Sequence, residues 1–200
     1  MYDANGNIKL AFEYDSICDT FYNNFESEEA KYIVIKNGKV GTVDIHNKIV
    51  IPIIYDSLSG WVEYGPNAHF ASLNGKYGLI SIEGQIIIPL EYEYVDLPIS
   101  DVIVVRKNGK YGVLSGKNTE ILPCKFDMII NDMPLEDMEE ERKGKLVVLL
   151  DNKWSYYDKE GSIISKNVST NKIIKKYGNI LEMGEPSNEN INFSMKKASK

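Results

Sequence analysis

The chain is poor in the residues that carry most protein chemistry. Its 200 residues include two cysteines, Cys18 and Cys124, and two histidines, His46 and His69. The cysteines sit in no motif, so two free thiols are expected rather than a disulfide. The histidines lie 23 residues apart without a Cys or His cluster around them, whereas a metal site needs three or four ligands. Both are expected at the surface, His46 in a turn and His69 just ahead of a strand from Phe70 to Leu73, and no metal or cofactor is expected. Positive charge is scarce as well. Lys and Arg number 23 against 29 Asp and Glu, a net −6, which argues against general nucleic-acid binding, since that needs a basic face. No apolar run is long enough to span a membrane. The start, Met1-Tyr2-Asp3-Ala4-Asn5, is polar and lacks the apolar core of a signal peptide. Cytoplasmic residence is therefore the expectation, one that an upstream segment would alter. No phosphate-binding glycine loop and no Ser-His-acid frame is present, so catalysis is not expected. A long 3.6-residue periodicity is also missing, which leaves an all-β fold.

What is there is a repeat. Asn37-Gly38-Lys39-Val40-Gly41, Asn74-Gly75-Lys76-Tyr77-Gly78 and Asn108-Gly109-Lys110-Tyr111-Gly112 carry the same turn, and Asn152-Lys153-Trp154-Ser155 is a worn copy. The intervals between Gly38, Gly75, Gly109 and Asn152 are 37, 34 and 43 residues. Nine residues after each anchor stand Asn47, Gly84, Asn118 and Gly161, types that tolerate a positive φ. Pro52, Pro89 and Pro123 follow, then Tyr55-Asp56, Tyr92-Glu93 and Phe126-Asp127, then Leu58, Val95 and Ile129. Asn-Gly between apolar runs marks a two-residue hairpin. Proline donates no ladder hydrogen bond, so the third strand is expected to stop there, as Ile86 to Ile88 does before Pro89. Gly6, Tyr14, Asp15 and Ile17 fit the same frame, so the chain opens within a repeat. The last copy is expected to lose the pattern after Ile164, with Lys166 in place of proline and Ser169 in place of the aromatic.

The series Asn-Gly-Lys-aromatic-Gly, then Gly, then Pro-x-x-aromatic-acid resembles the WG repeat, also called KWG. The best copy runs from Asn74 to Glu93; the signature tryptophan is replaced at Val40, Tyr77 and Tyr111 and kept at Trp154, where Ser155 replaces the glycine. The resemblance covers about residues 6 to 165. It implies a bacterial β-repeat interaction module and carries over no catalytic residue. The expected architecture is an all-β tandem array of stacked three- to four-stranded units, about four and a half copies. A closed, propeller-like ring is the alternative, the N-terminal half-unit supplying what the fourth copy lacks. The domain is expected over 1–165, with a half-unit at 1–17 and units at about 30–58, 70–95, 102–129 and 146–165. Residues 166–200 read as a polar C-terminal cap and tail.

Tyr55, Tyr77, Tyr92 and Tyr111 are expected to be core, because aromatics dominate burial, and Gly41, Gly78 and Gly112 to be packing positions. Candidate binding residues lie instead in segments that break frame, since insertions in repeat proteins gather at binding faces. They are Phe21 and Tyr22 in the stretch from Asp19 to Glu29, Trp61 and Tyr64 between the first and second copies, and an acidic set between the third and fourth. That set is Asp132, Glu136, Asp137, Glu139, Glu140 and Glu141, with a short helix expected over 135–142. The function expected from these features is non-catalytic binding of a basic protein, a toxin neutralised by an immunity-like partner being one form. The alternatives are a cell-surface or polysaccharide-binding module built on exposed rings, and an enzyme with an unrecognised site.

Overall fold

The structure is a computed structural model describing residues 13–18, 31–59, 68–96, 101–132 and 144–182. Among the described residues there are four antiparallel sheets of four strands each and one helix. Sheet 1 holds β1 (Ser16–Cys18), β2 (Lys31–Lys36), β3 (Lys39–Asp44) and β4 (Ile49–Tyr55). Sheet 2 holds β5 (Ser57–Leu58), β6 (Ala68–Leu73), β7 (Lys76–Ser81) and β8 (Ile86–Tyr92). Sheet 3 holds β9 (Tyr94–Val95), β10 (Val102–Lys107), β11 (Lys110–Ser115) and β12 (Glu120–Phe126). Sheet 4 holds β13 (Met128–Asp132), β14 (Lys145–Leu150), β15 (Lys153–Tyr157) and β16 (Ile163–Val168), and is followed by α1 (Thr170–Glu182). Strands pair in chain order within each sheet. The chain divides into two compact units, 1–92 with sheets 1 and 2, and 93–200 with sheets 3, 4 and α1.

The structural repeat is offset from the sequence repeat. The apolar residue that closes one copy opens the next sheet: Leu58 pairs with Ala71, and Val95 with Val105. Likewise β1 pairs with β2 through Ile17 and Val34. Sheet 4 takes all four strands from residues 128–168, so its outer strand does not come from the N-terminal segment, as the ring alternative required.

Both turns behave as their residue types demand. Asn37 and Gly38 have φ of 53° and 70°, and even the worn Asp151-Asn152 keeps 49° and 60°, the positive pair that a right-twisted two-residue hairpin needs. At the second turn Asn47, Gly84, Asn118 and Gly161 all have positive φ. The turn is closed by a side chain that recurs six residues after each anchor: Asp44, Ser81, Ser115 and Asp158. Asp44 Oδ1 accepts the amides of His46 and Lys48, both at 2.9 Å, and Ser115 Oγ those of Lys117 and Thr119 at 3.2 and 3.1 Å.

The third strand does not stop at proline. β4, β8 and β12 each run through it to the aromatic. The reason is a bulge. Tyr77 faces Tyr92 and Leu79 faces Ile88, so the outer strand carries extra residues there, Pro89 among them, and the ladder needs no amide from it. The bulged backbone lies on Gly78, where an added Cβ would meet Ile88 O and, at 2.8 Å, Pro89 O. Gly41 and Gly112 are overlain in the same way by Ile51 O and Leu122 O, at 2.6 and 2.9 Å.

The fourth sheet shows what happens when this device is lost. Trp154 pairs with Val168 and Tyr156 with Ser165. The outer strand thus spans three residues where the other sheets span four, as from Tyr55 to Ile51. With a smaller bulge Ser155 replaces the glycine, Lys166 replaces the proline, and Val168, not Ser169, takes the aromatic's place. The strand therefore continues past Ile164 to Val168 although the motif residues are lost.

The cores lie between consecutive sheets of each unit. Ile51 and Tyr55 of sheet 1 pack with Ala71 and Ile80 of sheet 2, and Leu122 and Phe126 of sheet 3 with Ile129, Leu146 and Val148 of sheet 4. The second-turn glycines belong to these contacts: a Cβ on Gly84 would stand 2.6 Å from Val50 O, and one on Gly161 2.8 Å from Ile121 O. The far face of sheet 4 is covered by α1, whose Ile173 and Tyr177 are buried with Ile130, Val147, Trp154 and Tyr156. This one short helix stands beside an otherwise all-β array among the described residues. Ser169 caps the helix, its Oγ accepting the amide of Lys172 at 3.3 Å while its carbonyl accepts that of Ile173 at 3.2 Å.

Candidate functional surface

Within each unit, the acid after the aromatic of one sheet joins that sheet to the next. Asp56 lies between β4 and β5. Its Oδ1 accepts Lys39 Nζ of sheet 1 at 2.5 Å, and its Oδ2 accepts the amide of Asn74, in the turn of sheet 2, at 2.6 Å. Asp127 repeats the arrangement, with Lys110 Nζ at 2.6 Å and the amide of Asp151 at 3.0 Å. Asp15 accepts the amide of Asn37 at 2.6 Å, and Glu93 those of Asn108 and Gly109 at 3.0 Å each. The lysine and the turn amide hold the Asp56 and Asp127 carboxyls below the usual carboxylate range, and Asp127 raises Lys110. The motif residues Asn-Gly, Lys and aromatic-acid are thus consumed by internal joints.

The aromatics are mostly consumed as well. Tyr55, Tyr92, Tyr111 and Trp154 are buried, as is Phe126 at 2% exposure, while Tyr77 is half-buried. Tyr94 stands edge-on to Tyr111, centroids 6.4 Å apart, and its phenol is pushed far up by burial. Among the described residues the repeat aromatics therefore offer no exposed stacking ladder.

Of the residues expected to bind a partner, Asp132 ends β13 and is committed to the helix. Its Oδ2 accepts Lys176 Nζ at 2.8 Å and Tyr177 OH at 2.7 Å, leaving the side chain 14% exposed. Asp132 and Tyr177 raise the Lys176 pKa, Asp132 most. Phe21, Tyr22, Trp61, Tyr64, Glu136, Asp137, Glu139, Glu140 and Glu141 lie outside the described residues, as does the helix expected at 135–142. His46 is exposed, as expected, but His69 is not. It is 6% exposed on β6, with Nδ1 2.7 Å from Ser59 O. It faces the Ala71–Ile80 side of sheet 2, and burial lowers its pKa. Cys18 and Cys124 are free thiols. Among the described residues no group of three or more His, Cys, Asp or Glu could hold a metal, and no helix is long and apolar enough to cross a membrane.

Sequence reasoning missed the exposed isoleucines on edge strands of each unit. Ile49, Ile86 and Ile163 occupy equivalent positions at the start of β4, β8 and β16, opposite Val43, Ile80 and Tyr157. Each is about half exposed or more, as are Ile54 on β4 and Ile164 on β16. All three strands are sheet edges. The recurrence of isoleucine eleven residues after the anchor is the signal that could have found them.

Three consecutive segments, 1–39, 41–76 and 77–111, match the WG containing repeat, together more than half of the chain. The chain belongs to the WG-repeat family. The matched segments end at Tyr111, before the copy whose bulge is shortened. No curated protein matches the chain. Family membership agrees with the array of sheets and with a repeat-based binding role, in which the WG motif itself builds the joints.

Proposed function

We propose that this WG-repeat protein is a non-catalytic module that binds a basic protein through its outer edge strands. The carrying observation is the placement of the exposed large apolar residues. Five of the six among the described residues, Ile49, Ile54, Ile86, Ile163 and Ile164, stand on edge strands. Edge strands with apolar side chains are natural sites for another polypeptide, and recurrent exposed apolar positions mark interaction surfaces. The net charge of −6 favours a basic partner and speeds its encounter. A toxin held inactive by this chain in the cytoplasm is the concrete form of this reading. Among the described residues, the burial of Tyr55, Tyr92 and Tyr111 gives a stacking ladder of repeat tyrosines no support.

The test uses the full chain and a partner recovered with it from its native cells, then purified. Ile49→Lys, Ile86→Lys and Ile163→Lys should each weaken calorimetric binding about tenfold while leaving the melting temperature unchanged. Charge reversal at Glu136, Asp137, Glu139, Glu140 and Glu141 should slow association. Affinity indifferent to all three isoleucine changes would sink the edge-strand reading; an indifferent association rate would sink the electrostatic one.

A further inference from the structure

The departures of the fourth repeat converge on one recess. In the first unit the bulge residue Leu90 packs against the cluster of Ile51, Tyr55, Ala71 and Ile80. In the second unit the matching place belongs to Asn167, in the shortened bulge, with φ of 52°. It leaves a recess of about 200 Å³ between sheets 3 and 4. Phe126, Val148, Leu150 and Tyr157 give it apolar walls, and the two rings stand edge to face with centroids 6.1 Å apart. Ser155, in place of the repeat glycine, lines it too.

The rim is charged. Lys153 matches Lys39 and Lys110, which are each tied to the acid after their own repeat's aromatic. The fourth copy has Ser169 where that acid would stand. Lys153 therefore lacks the partner its counterparts have, and among the described residues it makes no ion pair. Lys166, in place of the repeat proline, lines the same recess and is equally unpaired. Asp151 is the opposing charge. Two cations against one anion suit a ligand with a single negative charge better than a dianion. The volume is below the range of drug-sized sites, so the ligand is small.

We propose that this recess binds a small aromatic monocarboxylate, its ring against Phe126 and Tyr157 and its carboxylate at Lys153 and Lys166. The charge and the apolar walls are both needed: a carboxylate recruits the lysines, and a flat ring fills a narrow space between sheets.

Benzoate and benzamide, equal in shape and different in charge, are the probes. Titrated into the full-length protein and followed by amide NMR shifts, benzoate should give saturable changes at Lys153, Ser155 and Tyr157. Benzamide should bind about tenfold more weakly or worse. Lys153→Gln and Lys166→Gln should each weaken benzoate several-fold at an unchanged melting temperature, while Lys39→Gln, the matching change on sheet 1, should not. Ser155→Leu should fill the recess and abolish the shifts. Equal affinity for acid and amide, absence of saturable shifts, or indifference to both lysine variants would overturn the proposal, and the lysine variants decide it even if Ser155→Leu fails to fold.

Discussion

Asp56 Oδ2 accepts the backbone amide of Asn74 at 2.6 Å while Oδ1 of the same carboxylate holds Lys39. One side chain thus links the hairpin of one sheet to the hairpin of the next. A carboxylate that accepts a fixed amide and a cation is bound by charge-assisted hydrogen bonds at both oxygens. This explains why the motif joins Asn-Gly-Lys to an acid some eighteen residues later.

Replacing that acid separates its two contributions. Asp56→Ala should lower the melting temperature, and Lys39→Met should lower it less, because the exposed ion pair is screened whereas alanine also leaves the turn amide of Asn74 without its acceptor. The Lys39 effect should shrink in high salt, and the Asp56 effect should largely persist. Both carboxyls titrate below the ordinary value, so this stabilisation is present at neutral pH and is lost as pH falls below about 4. Thermal melts in low and high salt across that pH range measure it.

Gly78 and Ser155 hold the same repeat position under different bulges. Gly78→Ala should destabilise by about 1–3 kcal/mol, because the new methyl meets backbone oxygens rather than a mobile side chain. Ser155→Gly should cost about 1 kcal/mol or less, from backbone freedom alone. Denaturant unfolding that finds the two changes equal would contradict the bulge argument.

His69 confers a pH dependence in a separate window. Burial depresses its folded pKa below the ordinary 6.5, so the unfolded chain binds the proton more readily. Stability should fall as pH drops below about 6.5 and level off beneath the folded value. His69→Gln should flatten the unfolding profile on the acid side of about pH 6.5 and leave the carboxylate limb below about pH 4 in place.

The helix should behave as part of the fourth sheet's core. Ile173→Ala should cost about 2–5 kcal/mol, as for other fully buried aliphatics. Tyr177→Phe should cost less, since the ring stays packed and Lys176 still reaches Asp132. Amide hydrogen exchange of Trp154 and Tyr156 should quicken in the first variant and change little in the second.

Much of this architecture was legible because it is written in short-range chemistry. Asn37-Gly38 and Gly84 state their turns through the φ they permit, and the recurrence of the pattern states the number of sheets. What escaped involves distances along the chain. Pro89 reads as a stop until the bulge shows that no amide is wanted there. Asp44, Ser81, Ser115 and Asp158 are in register, yet two residue types with one hydrogen-bonding role hide the pattern. α1 buries Ile173 and Tyr177 and surrounds them with lysines, too thin a stripe to stand out as a period. His69 gave no sign of burial, because its companion is a backbone carbonyl ten residues away. The segments around Trp61 and Glu136 break frame, whereas the exposed isoleucines keep it.

The offset between the written repeat and the folded sheet bears on how such a chain grows. Leu58 and Asp56 are spelled in one copy but serve the next sheet. A duplicated block of one period therefore inserts cleanly wherever it is cut, because each junction still presents an upstream strand and an upstream acid to a downstream hairpin. Length can change by whole sheets without a new interface having to be invented.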